Sequence, residues 1–149
     1  MSHPLTILYA EDEENDIIFL KRAFKRAGSP HTLKAVPDGA QAIEYLAGEG
    51  IFADRTQYPI PDLILLDINM PKKSGLDVLQ WVRSQPRYKA LPALILTSSS
   101  RPEDMEKARE LGADDYLLKP SDPLKLVEVV RSIEEHWLSQ PAIAAEVAV

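Results

Sequence analysis

Asp62-Leu63-Ile64-Leu65-Leu66-Asp67-Ile68-Asn69-Met70-Pro71 is the run on which the reading of this chain turns. Leu63 to Leu66 is apolar without interruption, as expected of a parallel strand covered on both faces by helices. Asp67 ends that strand, where an unpaired carboxylate is costly. A strand of this kind needs parallel neighbours, and the rest of the sequence supplies them.

Thr6 to Ala10, Thr32 to Val36, Ala93 to Leu96 and Tyr116 to Leu118 are further short runs rich in Ile, Leu, Val or Tyr. Lys34 in the middle of the second marks it as an edge. Segments of helical period lie between the runs. Asn15 to Ala27 carries Ile17, Leu20, Phe24 and Ala27 at spacings of three and four, with Gly28 able to take the left-handed end position. Asp38 with Gln41 reads as a capping box for a helix that Gly48 stops. Leu76, Leu79 and Val82 mark a third helix. Ser100 with Glu103 reads as the box of a fourth, along Met105, Ala108 and Leu111 to Gly112. Asp122-Pro123 opens a fifth through Leu126, Val130, Ile133 and Trp137. Five strand–helix pairs with right-handed crossovers predict an α/β fold: a flavodoxin-like, doubly wound, five-stranded parallel sheet in the order 2-1-3-4-5, with five helices. This accounts for residues 1–138 as one domain, with 139–149 a small, apolar and acidic tail and no output domain expected. The connection from Gly48 to Pro61 is long, and its Phe52, Tyr58, Pro59 and Pro61 suit a packed loop, with a partner contact as the alternative.

Seventeen basic and 23 acidic residues leave a formal charge of −6. Such a field repels phosphate backbones and anionic lipid, so neither nucleic acid nor a membrane surface is an expected partner. There is no cysteine, and His3, His31 and His136 show no ligand spacing, which excludes disulfides and thiolate metal sites. With no leader and no apolar run of membrane-spanning length, a cytoplasmic protein is expected.

In an open α/β sheet ligands bind beyond the carboxyl ends of the strands, where the strand order reverses. Four strands deliver polar groups to that rim: Glu11-Asp12, Asp67, Thr97-Ser98 and Lys119-Pro120. Glu11, Asp12 and Asp67 come from adjacent strands and repel one another unless a cation sits among them. Oxygen ligands without His or Cys favour Mg²⁺, to which the backbone carbonyl of Asn69 can contribute. Glu13, Glu14 and Asp16 are read instead as first-turn acids that suit the helix dipole. Lys119 adds a cation, Thr97 a hydroxyl and Ser98 a backbone N–H. A carboxylate nucleophile forming an aspartyl phosphate needs these parts.

Ile7-Leu-Tyr-Ala-Glu-Asp12, the block from Asp62 to Pro71 with Gly75 behind it, Leu94-Ile-Leu-Thr97-Ser98 and Leu111-Gly-Ala-Asp-Asp-Tyr116-Leu-Leu-Lys119-Pro120 resemble, in order and spacing, the receiver domain of two-component response regulators. The resemblance implies that Asp67 is the phosphoacceptor and that Glu11, Asp12, Asp67 and the Asn69 carbonyl hold Mg²⁺. Lys119, Thr97, Ser98 and Asn69 would contact the phosphoryl group. Thr97 and Tyr116 would form the switch, and the Lys119–Pro120 peptide would be cis. It implies a signalling switch with self-catalysed phosphotransfer and autodephosphorylation, not an enzyme, with a histidine kinase as partner and an unidentified downstream protein target. The stretch before Asp62, the loop Asn69 to Gly75, Pro86 to Pro92, Thr97 to Ser100 and His136-Trp137-Leu138 are similar to single-domain regulators paired with bacterial phytochrome-type kinases. That likeness implies a homodimer and a bacteriophytochrome as kinase. The alternative is a receiver-like module that binds partners without phosphorylation. An aspartyl-phosphate hydrolase would place a second Asp two residues after the nucleophile, and here that residue is Asn69.

Overall fold

The structure is a computed structural model and describes residues 4–139. Thr6–Ala10 (β1), Thr32–Val36 (β2), Leu63–Leu66 (β3), Ala93–Thr97 (β4) and Asp115–Leu118 (β5) pair into one parallel sheet in the order β2-β1-β3-β4-β5. The three inner strands are buried at every residue, while β2, with Lys34, and β5 are partly exposed edges. Five helices separate them: Glu14–Arg26 (α1), Gly39–Ala47 (α2), Gly75–Ser84 (α3), Pro102–Glu110 (α4) and Pro123–Trp137 (α5). The predicted doubly wound sheet is the observed one.

Successive residues of a strand face opposite ways, so the sheet builds two cores. Leu8, Ala10, Ile64, Leu66 and Ile95 meet Leu46, Leu79 and Val82 on the side of α2, α3 and α4. Ile7, Tyr9, Leu63, Leu65 and Leu94 meet Leu20, Phe24 and Val130 on the side of α1 and α5. Truncating one such Leu to Ala costs about 2–5 kcal/mol, which holds the strand ends, and the residues beyond them, in register.

The helix ends follow local chemistry. Asp38 accepts the Gln41 N–H at 2.8 Å, and Gly48 closes α2 at φ +72°. Asp122 accepts the Leu124 N–H ahead of α5. The box expected at Ser100 and Glu103 does not form. Pro102 takes the first helical position of α4, which makes Arg101 the cap residue, and Glu103 pairs with Arg101 instead. A box that periodicity does not reveal joins Ser74 and Asp77 at the start of α3.

The connection 48–61 is packed. Phe52 is buried, edge-on to Tyr58 and tilted against Tyr45. Arg55 donates to the carbonyls of Tyr45 and Leu46, which end α2, and to that of Tyr58. Trp137 packs half-buried on the α1/α5 core, next to the buried Leu138. Residues 140–149 of the expected tail, and any share they have in a dimer, lie outside the described residues.

Candidate functional site

The strands are parallel, so their carboxyl ends share one rim, and Glu11, Asp67 and Lys119 follow β1, β3 and β5 directly while Thr97 ends β4. Glu11, Asp67 and Thr97 are all buried. Asp67 Oδ1 accepts from Thr97 Oγ1 at 2.7 Å and from the Asn69 N–H at 3.1 Å, and its Oδ2 accepts from Lys119 Nζ at 2.7 Å. The same ammonium donates to Glu11 Oε1 and, at 2.9 Å, to Asp16 Oδ2. Glu11 also accepts from the Tyr9 hydroxyl at 3.0 Å and from the Glu13 N–H at 3.1 Å.

One ammonium therefore faces three carboxylates. Burial, followed by the neighbouring Asp67 carboxylate, pushes Glu11 up to about 7. Burial alone would raise Asp67 too, but the neighbouring Glu11, of higher pKa, and the hydrogen bonds from Lys119 and Thr97 outweigh it and hold Asp67 below the usual carboxylate range. Lys119 moves above its ordinary value because Asp16, Asp67 and Glu11 together overcome its desolvation. Asp67 is thus the more acidic member of the pair, and the carboxylate is the form that is nucleophilic.

The loop after Asp67 is clamped by two glycines. Gly75 donates its N–H to the Ile68 carbonyl at 3.3 Å, and a Cβ there would lie 2.2 Å from the Asp67 carbonyl oxygen. Gly39, at the start of α2, donates to the Lys73 carbonyl at 3.1 Å, with 2.1 Å available to a Cβ. On the other flank, Thr97 Oγ1 accepts from the Ser99 N–H at 3.3 Å. The Ser99 carbonyl receives the Tyr116 hydroxyl at 2.8 Å, and the Ser99 hydroxyl donates to Asp104 of α4 at 2.6 Å.

Asp67, Thr97, Lys119, Glu11 and the Asn69 amide are brought together, while Asp12, Ser98 and the Asn69 side chain lie exposed around them. Among the described residues no three acidic or imidazole groups stand as a metal-ligand cluster. The Lys119 ammonium lies between Glu11 and Asp67 and supplies positive charge there. The donor chemistry still fits a hard cation: two buried carboxylates side by side, one of them pushed up to about 7, with Asp12 adjacent in the chain. The Lys119–Pro120 peptide is trans, not the expected cis. Trans is the isomer X–Pro bonds favour by about 0.5–1 kcal/mol, and with it Nζ reaches all three carboxylates.

Sequence reasoning passed over four residues. Tyr9 reads as a core aromatic, and Asp104 and Asp16 read as first-turn acids. Gly39 reads as an ordinary helix-start residue. The available signal for Asp16 was positional: it lies in the first turn of α1, just past β1, at the same carboxyl rim that Lys119 reaches from β5.

The chain matches the response regulator receiver domain family over residues 7–131. It is 33% identical over 142 residues to response regulator Rcp1 of Synechocystis sp., with 95% of each chain covered. The crystal structure of the phosphorylated cyanobacterial phytochrome response regulator RcpA aligns with TM-score 0.84 at 36% identity, over 92% of this chain and 96% of that one. The Mn²⁺-bound form of Rcp1 aligns with TM-score 0.80 at 34% identity, over 92% and 96%.

Proposed function

Because the chain belongs to the response regulator receiver domain family, we propose that it takes a phosphoryl group from the phosphohistidine of a histidine kinase onto Asp67 and signals through protein contacts. One observation carries this reading: Asp67 is an ionised, buried carboxylate with a hydroxyl, an amide and an ammonium directed at its two oxygens. In the reaction an Asp67 oxygen attacks phosphorus, the bond to the donor breaks, and its electron pair leaves with the donor's nitrogen or oxygen. The new oxygens carry negative charge beside Lys119 Nζ, Thr97 Oγ1 and the Asn69 amide, which are already directed at Asp67, and the Ser98 amide is a further proposed donor.

Mg²⁺ is the proposed ion, held by Glu11, Asp12, Asp67 and the Asn69 carbonyl. When bound, it neutralises charge on the phosphoryl oxygens. The Mn²⁺-bound form of Rcp1 supports a divalent cation in this role. Thr97 and Tyr116 are the proposed switch pair, joined here through Ser99. The likeness to RcpA and Rcp1 supports a phytochrome-type kinase as the source, and dimerisation of the chain belongs to the same reading. Among the described residues no helix is long and apolar enough to cross a membrane. We read the protein as cytoplasmic, with residues 1–138 as a receiver domain and 139–149 as a tail.

Intact-mass spectrometry after incubation with Mg²⁺ and acetyl phosphate tests the proposal. One added phosphoryl group that requires Mg²⁺ and vanishes in Asp67→Asn is expected. Full labelling of Asp67→Asn would remove Asp67 from its role, and an unlabelled wild type would favour a binding module that works without phosphorylation.

A further inference from the structure

An acid in the first turn of a helix needs no explanation beyond the helix dipole, yet Asp16 Oδ2 lies 2.9 Å from the Lys119 ammonium. Lys119 is therefore gripped by carboxylates from three elements: Glu11 after β1, Asp67 after β3 and Asp16 on α1. The three are not equivalent. Glu11 is also held by Tyr9 and the Glu13 amide, and Asp67 by Thr97 and the Asn69 amide. Both also belong to the oxygen set that suits a hard cation. Asp16 is outside that set, and Lys119 is the one hydrogen-bond partner of its side chain among the described residues.

We propose that Asp16 is a positioning residue for phosphoryl transfer: it keeps the Lys119 ammonium at Asp67 when the oxygens of Glu11 and Asp67 turn to other partners. The proposal rests on the reading of Asp67 as phosphoacceptor. Lysine is a compact charge on a flexible four-carbon stem. Deprived of two of its three carboxylates, it would swing toward solvent, because it is already partly exposed. Asp16 prevents this from a rigid base, since α1 is anchored by the buried Leu20, Ala23 and Phe24. An ammonium docked in advance meets the charge of an incoming phosphoryl group without reorganising.

The test uses the full chain as wild type, Asp16→Ala and Asp16→Glu. Asp16 is one-third exposed, so neither variant opens a core cavity. The first readout needs no metal and no phosphoryl donor: trace acetylation by acetic anhydride, with Lys119 modification measured by peptide mass spectrometry against the exposed Lys107. In Asp16→Ala the Lys119 to Lys107 ratio rises about two- to fivefold, the scale of one partly exposed ion pair, and Asp16→Glu restores it. The second readout is the rate of Asp67 labelling by acetyl phosphate with Mg²⁺, which falls about three- to tenfold in Asp16→Ala through misplacement of the ammonium and recovers in Asp16→Glu. An unchanged acetylation ratio in Asp16→Ala, an unchanged labelling rate, or a loss that Asp16→Glu does not recover overturns the proposal. A wild type that takes no phosphoryl group overturns the reading of Asp67 itself, and the acetylation ratio tells the two failures apart.

Discussion

Gly75→Ala probes the acceptor loop with a single methyl group. A Cβ at position 75 would stand 2.2 Å from the Asp67 carbonyl oxygen, 2.9 Å from its carbonyl carbon and 3.2 Å from Leu66 Cβ. A carbon and an oxygen in ordinary contact need more than 3 Å, so the start of α3 and the end of β3 must part by about 1 Å. Neither side is free to move. Leu66 is buried in the sheet, and α3 is pinned by Val78, Leu79 and Val82, with the Ser74–Asp77 box at its first turn. Overpacking of this kind costs about 1–3 kcal/mol. For a chain of this size that lowers Tm by roughly 2–12 °C. The separation falls on the backbone that aims Asp67, and a misplacement of about 1 Å at a reacting group costs on the order of a hundredfold in rate. Differential scanning calorimetry and the rate of labelling by acetyl phosphate measure the two effects separately. A Gly75→Ala protein that melts with the wild type and labels at its rate would refute the reasoning, since the methyl group would have been accommodated without disturbing Asp67.

Thr97→Ala leaves Asp67 Oδ1 with the Asn69 amide as its one donor and lowers stability by about 1–3 kcal/mol, read by urea denaturation. It remains labelled, but shifts of α4 and β5 amide resonances on phosphorylation shrink. Arg55→Ala removes the charged donor shared by the Tyr45, Leu46 and Tyr58 carbonyls, leaving the first two with the Gly48 amide and the Tyr88 hydroxyl, and costs about 1.5–3 kcal/mol, with limited proteolysis moving into the 48–61 loop. Wild-type sites of cleavage and unchanged stability would count against that loop as a packed unit. Light scattering at tens of micromolar is expected to report a dimer. Monomer alone, with and without phosphorylation, would remove that part of the proposal.

Periodicity was enough for the sheet because buried parallel strands leave short, uninterrupted apolar runs such as Leu63 to Leu66, and the helices between them leave glycine stops such as Gly48. The rim residues Glu11, Asp67, Thr97 and Lys119 were legible for a related reason: each sits at or just past the end of such a run. What did not show was pairing across the rim. Asp16 carries the same local signal whether or not it meets a lysine 103 residues away, and Tyr9 alternates into the core whether or not its hydroxyl reaches Glu11. The cap of α4 misled because Ser100 and Glu103 have the spacing of a box, while Pro102 moves the helix start by one residue. Steric facts are equally silent, since the tight contacts at Gly39 and Gly75 depend on how close two backbones come.

On the proposed reading of Thr97 as a switch residue, its Oγ1 links Asp67 to the Ser99 backbone. A hydroxyl has one proton to donate. Here that proton goes to Asp67 Oδ1, while a lone pair on the same oxygen receives the Ser99 amide. Ser99 is bonded in two further directions, by its carbonyl to Tyr116 of β5 and by its hydroxyl to Asp104 of α4. On this reading, a phosphoryl oxygen that draws Thr97 Oγ1 away from its present position disturbs the Ser99 amide and, through Ser99, its bonds to Tyr116 and Asp104. A second arrangement of these bonds on phosphorylation is what the proposed switch requires. Met105 on α4 and Leu118 on β5 are large hydrophobics already exposed at 38% and 45%, on the two elements that Ser99 ties to the site.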